Sequence, residues 1–260
     1  MLETLSRLSR DISGSVALIT GATSGIGLAT AHVLAHEGAT VCVTDLDQSL
    51  VDATVTHIRE CGGIAHGWVL DVTNQQGINS VLENISTKLG RLDLVINNAG
   101  ISLFSKIDAS DYDTKWAQSL EVLLTAQVRI IRASLPLLRQ APHPRIVNIA
   151  STEGLGATPY GSPYTAAKHG VIGLTRALAV ELGPEQITVN CVCPGPVNTG
   201  MTATLSDEDK IVFAKRRTAL KRYAEPEEIA HGILNLLLPA SQYITGVALP
   251  VDGGLSIRNA

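Results

Sequence analysis

The feature that most limits this chain is a glycine-rich turn set between a strand and a helix. The short apolar run Ser15-Val16-Ala17-Leu18-Ile19 leads directly into Thr20-Gly21-Ala22-Thr23-Ser24-Gly25-Ile26-Gly27. Val16 to Thr20 reads as a buried parallel strand: short, apolar, β-branched and closed by glycine. Ile26 to His36 reads as a helix, with Ile26, Ala29, Thr30, Val33 and Leu34 on one face. Glycines at such a turn let the backbone bend sharply and approach a pyrophosphate. The helix behind them offers free N–H groups and a partial positive charge. The spacing is Gly-x3-Gly-x-Gly, not the Gly-x-Gly-x2-Gly of the longer dinucleotide-binding motif. Taken alone, the pattern also describes a tight βα connection without a ligand.

The next strand adds to it. Ala39 to Thr44 is again strand-like, and Asp45 stands at its end. That is near the roughly 20-residue distance expected of an acid that hydrogen-bonds an adenosine ribose. A carboxylate there accepts from both ribose hydroxyls and repels a 2′-phosphate. Thr23, Ser24 and Leu46 nearby are neutral, so the expected cofactor is NAD. The other reading of Asp45 is a cap for the following helix, a job Asp47 and Ser49 are also placed to do.

The chain of 260 residues carries a formal net charge of −4, which gives no general case for nucleic acid or an anionic membrane. No apolar run approaches the ~20 residues that span a bilayer. Met1 to Asp11 lacks a signal-peptide apolar stretch. Cys42, Cys61, Cys191 and Cys193 form no secreted framework, and Cys191-x-Cys193 is too tight for the usual metal or redox spacing. The expectation is a cytoplasmic protein with no metal, since the histidines show no ligand spacing either.

Strand candidates recur at 15–20, 39–44, 64–70, 92–96, 145–150, 187–192 and 246–251. Helical patterns fill 26–37, 48–61, 74–89, about 112–139, 164–182 and 226–238. This alternation predicts an α/β chain: a doubly wound parallel sheet of about seven strands with helices on both faces. One domain is expected at 13–260, behind an N-terminal extension at 1–12. The least regular piece, about 194–224, opens with Pro194-Gly195-Pro196 and carries a polar helical stretch from Asp207 to Leu220. Leaving a strand's C-terminal end, it reads as a substrate lid.

A second constellation carries chemistry. Tyr164 and Lys168 lie one helical turn apart on the same face, and Ser151 ends the strand Arg145 to Ala150. A tyrosine of pKa about 10 is a poor base at neutral pH. A nearby ammonium favours the phenolate, and so does a positive nicotinamide ring. The Ser151 hydroxyl can hold and polarise a substrate oxygen beside the phenol. In isolation Tyr164 and Lys168 also describe a surface helix pair.

Together these pieces resemble the short-chain dehydrogenase/reductase family, from about Ser13 to Ser256. The resemblance rests on Thr20-Gly-x3-Gly-Ile-Gly27, Asp71-Val72, Asn97-Asn98-Ala99-Gly100, Ser151, Tyr164-x3-Lys168, Pro194-Gly195 with Thr199, and Val251-Asp252-Gly253-Gly254. It implies a Rossmann-like sheet in the order 3-2-1-4-5-6-7 and an NAD(P)-dependent oxidoreductase with Ser151, Tyr164 and Lys168 as catalytic residues. It also implies that Gly21, Thr23, Ser24, Gly25, Ile26 and Gly27 hold the cofactor's phosphates, and that Lys168 hydrogen-bonds the nicotinamide ribose. Asp71 and Val72 resemble the adenine contacts. Asn97, Asn98, Ala99 and Gly100 resemble the stretch along the adenosine ribose, although asparagines after a strand also serve turns. Pro194, Gly195, Val197 and Thr199 resemble the nicotinamide contacts. The family is similar in assembly too, implying a homotetramer or at least a homodimer.

One position departs from the pattern. The family's helix motif reaches an asparagine seven positions after a tryptophan-like residue; it bends the helix and holds a water in a proton relay. Here the segment starts at Trp116 and has Leu123 at that point. Gln118, Ser119 or Thr125 could rebuild the relay, the enzyme could be slow, or the chain could bind without catalysing.

The substrate is less defined. Glu153, close to Ser151, reads either as a contact for a polyol, sugar or hydroxylated ring, or as a loop acid. Lys210, Lys215, Arg216, Arg217, Lys221 and Arg222 read as a lid that attracts an anion or as a solvated helix face. Trp68, Phe104 and Tyr160 are the aromatic candidates. The expected function is NAD-dependent interconversion of a small secondary alcohol, such as a polyol, sugar or cyclic alcohol, and its ketone, with Ser151, Glu153 and Tyr164 facing the substrate. The alternatives are an impaired NAD-binding sensor or scaffold, and a 3-oxoacyl thioester reductase.

Overall fold

A computed structural model describes residues 6–258. The first five residues of the expected extension and the last two of the chain lie outside the described residues. Seven strands follow one another: β1 (Val16–Thr20), β2 (Thr40–Asp45), β3 (Ile64–Val69), β4 (Leu94–Asn97), β5 (Arg145–Ile149), β6 (Thr188–Pro194) and β7 (Ala248–Val251). Between them run α1 (Gly25–His36), α2 (Gln48–Glu60), α3 (Gln75–Leu89), α4 (Tyr112–Leu120), α5 (Ala126–Leu138), α6 (Ser162–Leu182), α7 (Asp207–Arg217) and α8 (Pro226–Leu237).

The strands form one sheet in the order β3-β2-β1-β4-β5-β6-β7. Every pairing is parallel, as in Ile19 with Val43 on one side and Ile96 on the other. Strands buried on both faces explain why β1 and β4 read as nearly unbroken apolar runs. One face packs Ala17, Ile19, Val41, Ile96 and Val147 against α1, α2 and α8. The other packs Leu18, Val95, Ile146 and Val189 against α3, α5 and α6. The order of winding reverses between β1 and β4, so their C-terminal ends open the crevice where such sheets hold ligands.

Local chemistry sets the helix starts. Asp47 caps α2, accepting from Ser49 N at 2.8 Å and Leu50 N at 3.1 Å. Asp45 is therefore not needed as the cap. Of the N-terminal extension, Ser9 O accepts from Ala240 N, and Ile12 is buried in the core.

The expected single helix over 112–139 is interrupted. Between α4 and α5, Glu121–Thr125 forms a wider turn in which Ala126 N donates to Glu121 O, a π-type bond. Leu123 sits inside this turn, fully buried. The wider turn forms here without an asparagine.

The segment after β6 is held at its base. Val197 pairs with Ala224, Asn198 N donates to Ala224 O, and Ala224 N donates to Pro196 O. α7 lies within the excursion, and its return leg donates from Ala219 and Leu220 to Gly253 O.

Candidate active site

The turn after β1 is shaped by its glycines. Gly21 and Gly25 have φ of 63° and 52°, the left-handed region that favours glycine. A Cβ on Gly27 would stand 2.0 Å from Gly21 O, so α1 reaches the turn only because nothing projects there. Ser24 precedes α1 with no side-chain cap, which leaves the first amides of Gly25, Ile26 and Gly27 without a side-chain partner. A close backbone with uncapped amides fits a pyrophosphate.

Thr20 pins the neighbouring segment in place. Its hydroxyl accepts from Asn98 N and Ala99 N, each at 3.0 Å, while Asn98 Nδ2 donates to Thr20 O and Gly21 O. In the sequence Thr20 is only the first residue of the motif; the signal of its role is a hydroxyl closing a buried strand. Asn97, by contrast, bonds to Asn148 within the core, and Asn148 Nδ2 continues to Thr175. The second asparagine faces the turn and the first braces the sheet.

Asp45 lies half-buried beside the turn. Its Oδ2 accepts from Thr23 N at 3.1 Å and Thr23 Oγ1 at 2.6 Å. Asp71, exposed, holds Thr73 N at 2.8 Å, and Val72 next to it is buried. From the other side, Thr199 comes against Gly25, whose Cβ would be 3.2 Å from Thr199 Cγ2. Gly195 packs on Asp252 and Val197 is buried, so the stretch after Pro194 faces the phosphate turn.

β5 and α6 bring together the second group. Lys168, 4% exposed, donates from Nζ to Ile149 O at 2.7 Å. Its Nζ also lies 5.5 Å from the centre of the Tyr164 ring. Burial lowers the Lys168 ammonium to about 8. Burial pushes the Tyr164 phenol up, the Ser151 hydroxyl pulls it down, and the Glu153 charge pushes it up again. Ser151 accepts from Glu153 N at 3.1 Å, which turns the chain sharply after β5.

Glu153 serves the loop. Its carboxylate accepts from Thr158 N at 2.9 Å, Thr158 Oγ1 at 2.5 Å and Thr165 Oγ1 at 2.9 Å. Both oxygens are engaged within 153–165, as a loop acid's would be. Phe104 stacks near Tyr164, with ring centres 6.2 Å apart and planes 20° off parallel. Exposed Leu155 and Tyr160 stand in the neighbouring loop. Trp68 lies on the edge strand β3, near Lys88 rather than this group.

Around Leu123, Gln118 is exposed, Thr125 is half-buried and Ser119 is fully buried with a hydroxyl that has no partner among the described residues. A separate cavity of about 460 Å³ lies over the outer face of α1, lined by His32, His36, His57, Cys61 and His231. Among the described residues no three donors are placed to hold a metal.

A family model described as enoyl-(acyl carrier protein) reductase matches residues 21–256. The chain belongs to the short-chain dehydrogenase/reductase family. Members of this family that it resembles include the 3-oxoacyl-[acyl-carrier-protein] reductase FabG of Thermotoga maritima, 37% identical over 95% of this chain and 99% of the relative. The BbsD subunit of (2S)-[(R)-hydroxy(phenyl)methyl]succinyl-CoA dehydrogenase from Thauera aromatica is also 37% identical, over 95% of this chain and 98% of the relative. Among solved short-chain dehydrogenase/reductase structures, the L-sorbose reductase of Gluconobacter frateurii, complexed with NADPH and L-sorbose, has a TM-score of 0.89 at 30% identity, covering 96% of this chain and 99% of that one. The family fixes a nicotinamide-dependent oxidoreductase. Among the described residues no helix is long and apolar enough to cross a membrane.

Proposed function

We propose that this chain interconverts a secondary alcohol and its ketone, with Ser151, Tyr164 and Lys168 as the catalytic group and NAD as the preferred cofactor. The observation that carries the reading is Lys168 Nζ, bonded to Ile149 O two residues before Ser151 and 5.5 Å from the centre of the Tyr164 ring. The nicotinamide, when bound, exchanges the hydride. The proton is the chain's own task. Ser151 holds the substrate oxygen, and the Tyr164 phenol takes the hydroxyl proton or returns it. Lys168, charged below about 8, favours the phenolate beside it.

Gly21, Thr23, Ser24, Gly25, Ile26 and Gly27 would hold the phosphates, with Asp45 on the adenosine ribose and Asp71 and Val72 at the adenine. Asn98, Ala99, Gly100, Pro194, Gly195, Val197 and Thr199 would line the rest. Preference for NAD rests on the Asp45 charge and its neutral neighbours.

Phe104 stacks on Tyr164, and the loop leading into α6 exposes Leu155 and Tyr160. This favours an alcohol or ketone with an apolar body over a sugar or polyol. A 3-oxoacyl thioester is the second reading, favoured by the names of the FabG and BbsD relatives and by exposed Met201, Leu205, Ile211 and Val212 in the segment after β6. Free Cys42, Cys61, Cys191 and Cys193 support a reducing, cytoplasmic setting. A homotetramer would bury the exposed Val180 and the C-terminal Tyr243 and Ile257.

The test follows the absorbance of reduced nicotinamide. NAD is offered with polyols, sugars, and cyclic and aryl alcohols; NADH and NADPH are offered with 3-oxoacyl thioesters. Turnover of apolar alcohols with NAD is expected. Turnover of thioesters alone would select the second reading, and no turnover of any would overturn both.

A further inference from the structure

At the sheet edge opposite the crevice, β5 begins with an arginine that is 2% exposed. Arg145 pairs in register with Leu94 and so shares its face, the one covered by α1, α2 and α8. Its Nη1 donates to Pro144 O at 3.0 Å. Its Nε and Nη2 are sealed from solvent and have no partner among the described residues. In register beside it on β6, Thr188 is 6% exposed, and its hydroxyl is likewise sealed and unpartnered.

The guanidinium does not shed its proton in a protein. Burial pushes it down, and no carboxylate among the described residues offsets that. Asp93, at the start of β4, gives its two oxygens to Arg91 and to Val16 N. A buried charge without a counter-charge is among the costliest groups a core can hold. A water would satisfy N–H groups but would bring no charge. The Nε/Nη2 edge is the fork that meets an anion with two parallel bonds, and the neighbouring hydroxyl supplies a third donor.

We propose that Arg145 and Thr188 form a buried site for one small monovalent anion, chloride or a formate-sized carboxylate. The anion neutralises the guanidinium and ties β5 to β6. It is remote from Ser151, at the other end of the same strand, so it acts on stability and not on the proton step.

The experiment compares melting temperatures in chloride, formate and the bulkier methanesulfonate at equal ionic strength. Chloride, formate or both should raise the wild-type melting temperature, and the gain should continue with each tenfold increase past the dissociation constant. Whichever anion acts identifies the occupant. Arg145→Met should lose the dependence. The same temperature in all three anions, or an Arg145→Met variant that responds like the wild type, would overturn the proposal. If Arg145→Met does not fold, chloride or formate NMR linewidths on the wild type and on Thr188→Val decide it. Broadening by the wild type that Thr188→Val weakens supports the site, and no broadening by the wild type overturns it.

Discussion

Lys168 Nζ donates a 2.7 Å hydrogen bond to Ile149 O, two residues before Ser151 on the same chain segment. That bond fixes α6 against the end of β5. One turn earlier on α6, Tyr164 lies with its ring centre 5.5 Å from the same ammonium, so the bond to Ile149 O also positions the phenol.

The buried ammonium should show in the pH dependence of folding. Lys168 falls from 10.5 to about 8 in the folded chain. Below about 8 the folded state carries the cost of a buried charge; between about 8 and 10.5 the unfolded chain binds the extra proton, so stability rises with pH. Lys168→Met removes this contribution. Its stability advantage over the wild type, at most about 3 kcal/mol, should shrink as pH rises through that window. Urea melts of the cofactor-free proteins measure it. A constant difference would show that Lys168 titrates normally.

Leu123→Asn should lower stability by about 1–3 kcal/mol and should not raise turnover. Leu123 is 0% exposed, and its Cδ2 would be 3.2 Å from a Cβ on Gly100, so the site is packed dry. The helix already departs from the α pattern there through the Ala126 N to Glu121 O bond, with no asparagine. Melting and rate are read on the same preparation. A faster variant of equal stability would mean that the natural site lacks a relay it could use.

Asp45→Ala should narrow the preference between cofactors. The wild type should bind NAD at least about tenfold more tightly than NADP, because a carboxylate repels the extra phosphate. Removing it also frees Thr23, whose hydroxyl donates to Asp45 at 2.6 Å. Fluorescence titration with both oxidised cofactors gives the ratio. Equal wild-type affinities would remove the argument for NAD.

Much of this architecture is legible in the sequence because apolar strands of a parallel sheet read as unbroken runs. The strand order came from the family resemblance, and the pairing of β1 with β2 and β4 agrees with it. The π-type turn is not legible, since a helix with one extra residue looks locally like any other. Its trace is a drift: Ser119, Leu123, Gln127 and Ile131 are all buried at steps of four, longer than the 3.6-residue turn. Glu153 was ambiguous because its partners, Thr158 and Thr165, become neighbours only when the loop folds back on α6. The burial of Arg145 is illegible for a similar reason: an arginine opening a strand is ordinarily exposed, and its burial depends on what packs over that end of the sheet.

In the proposed function, Tyr164 carries the proton. The most direct test is Tyr164→Phe, assayed for turnover with any substrate the wild type accepts and for NADH affinity by fluorescence. The ring and its packing against Phe104 remain, and only the hydroxyl is lost. Turnover should fall roughly 100- to 10,000-fold while NADH affinity stays within about threefold of the wild type. A variant that keeps most of its turnover would contradict the account.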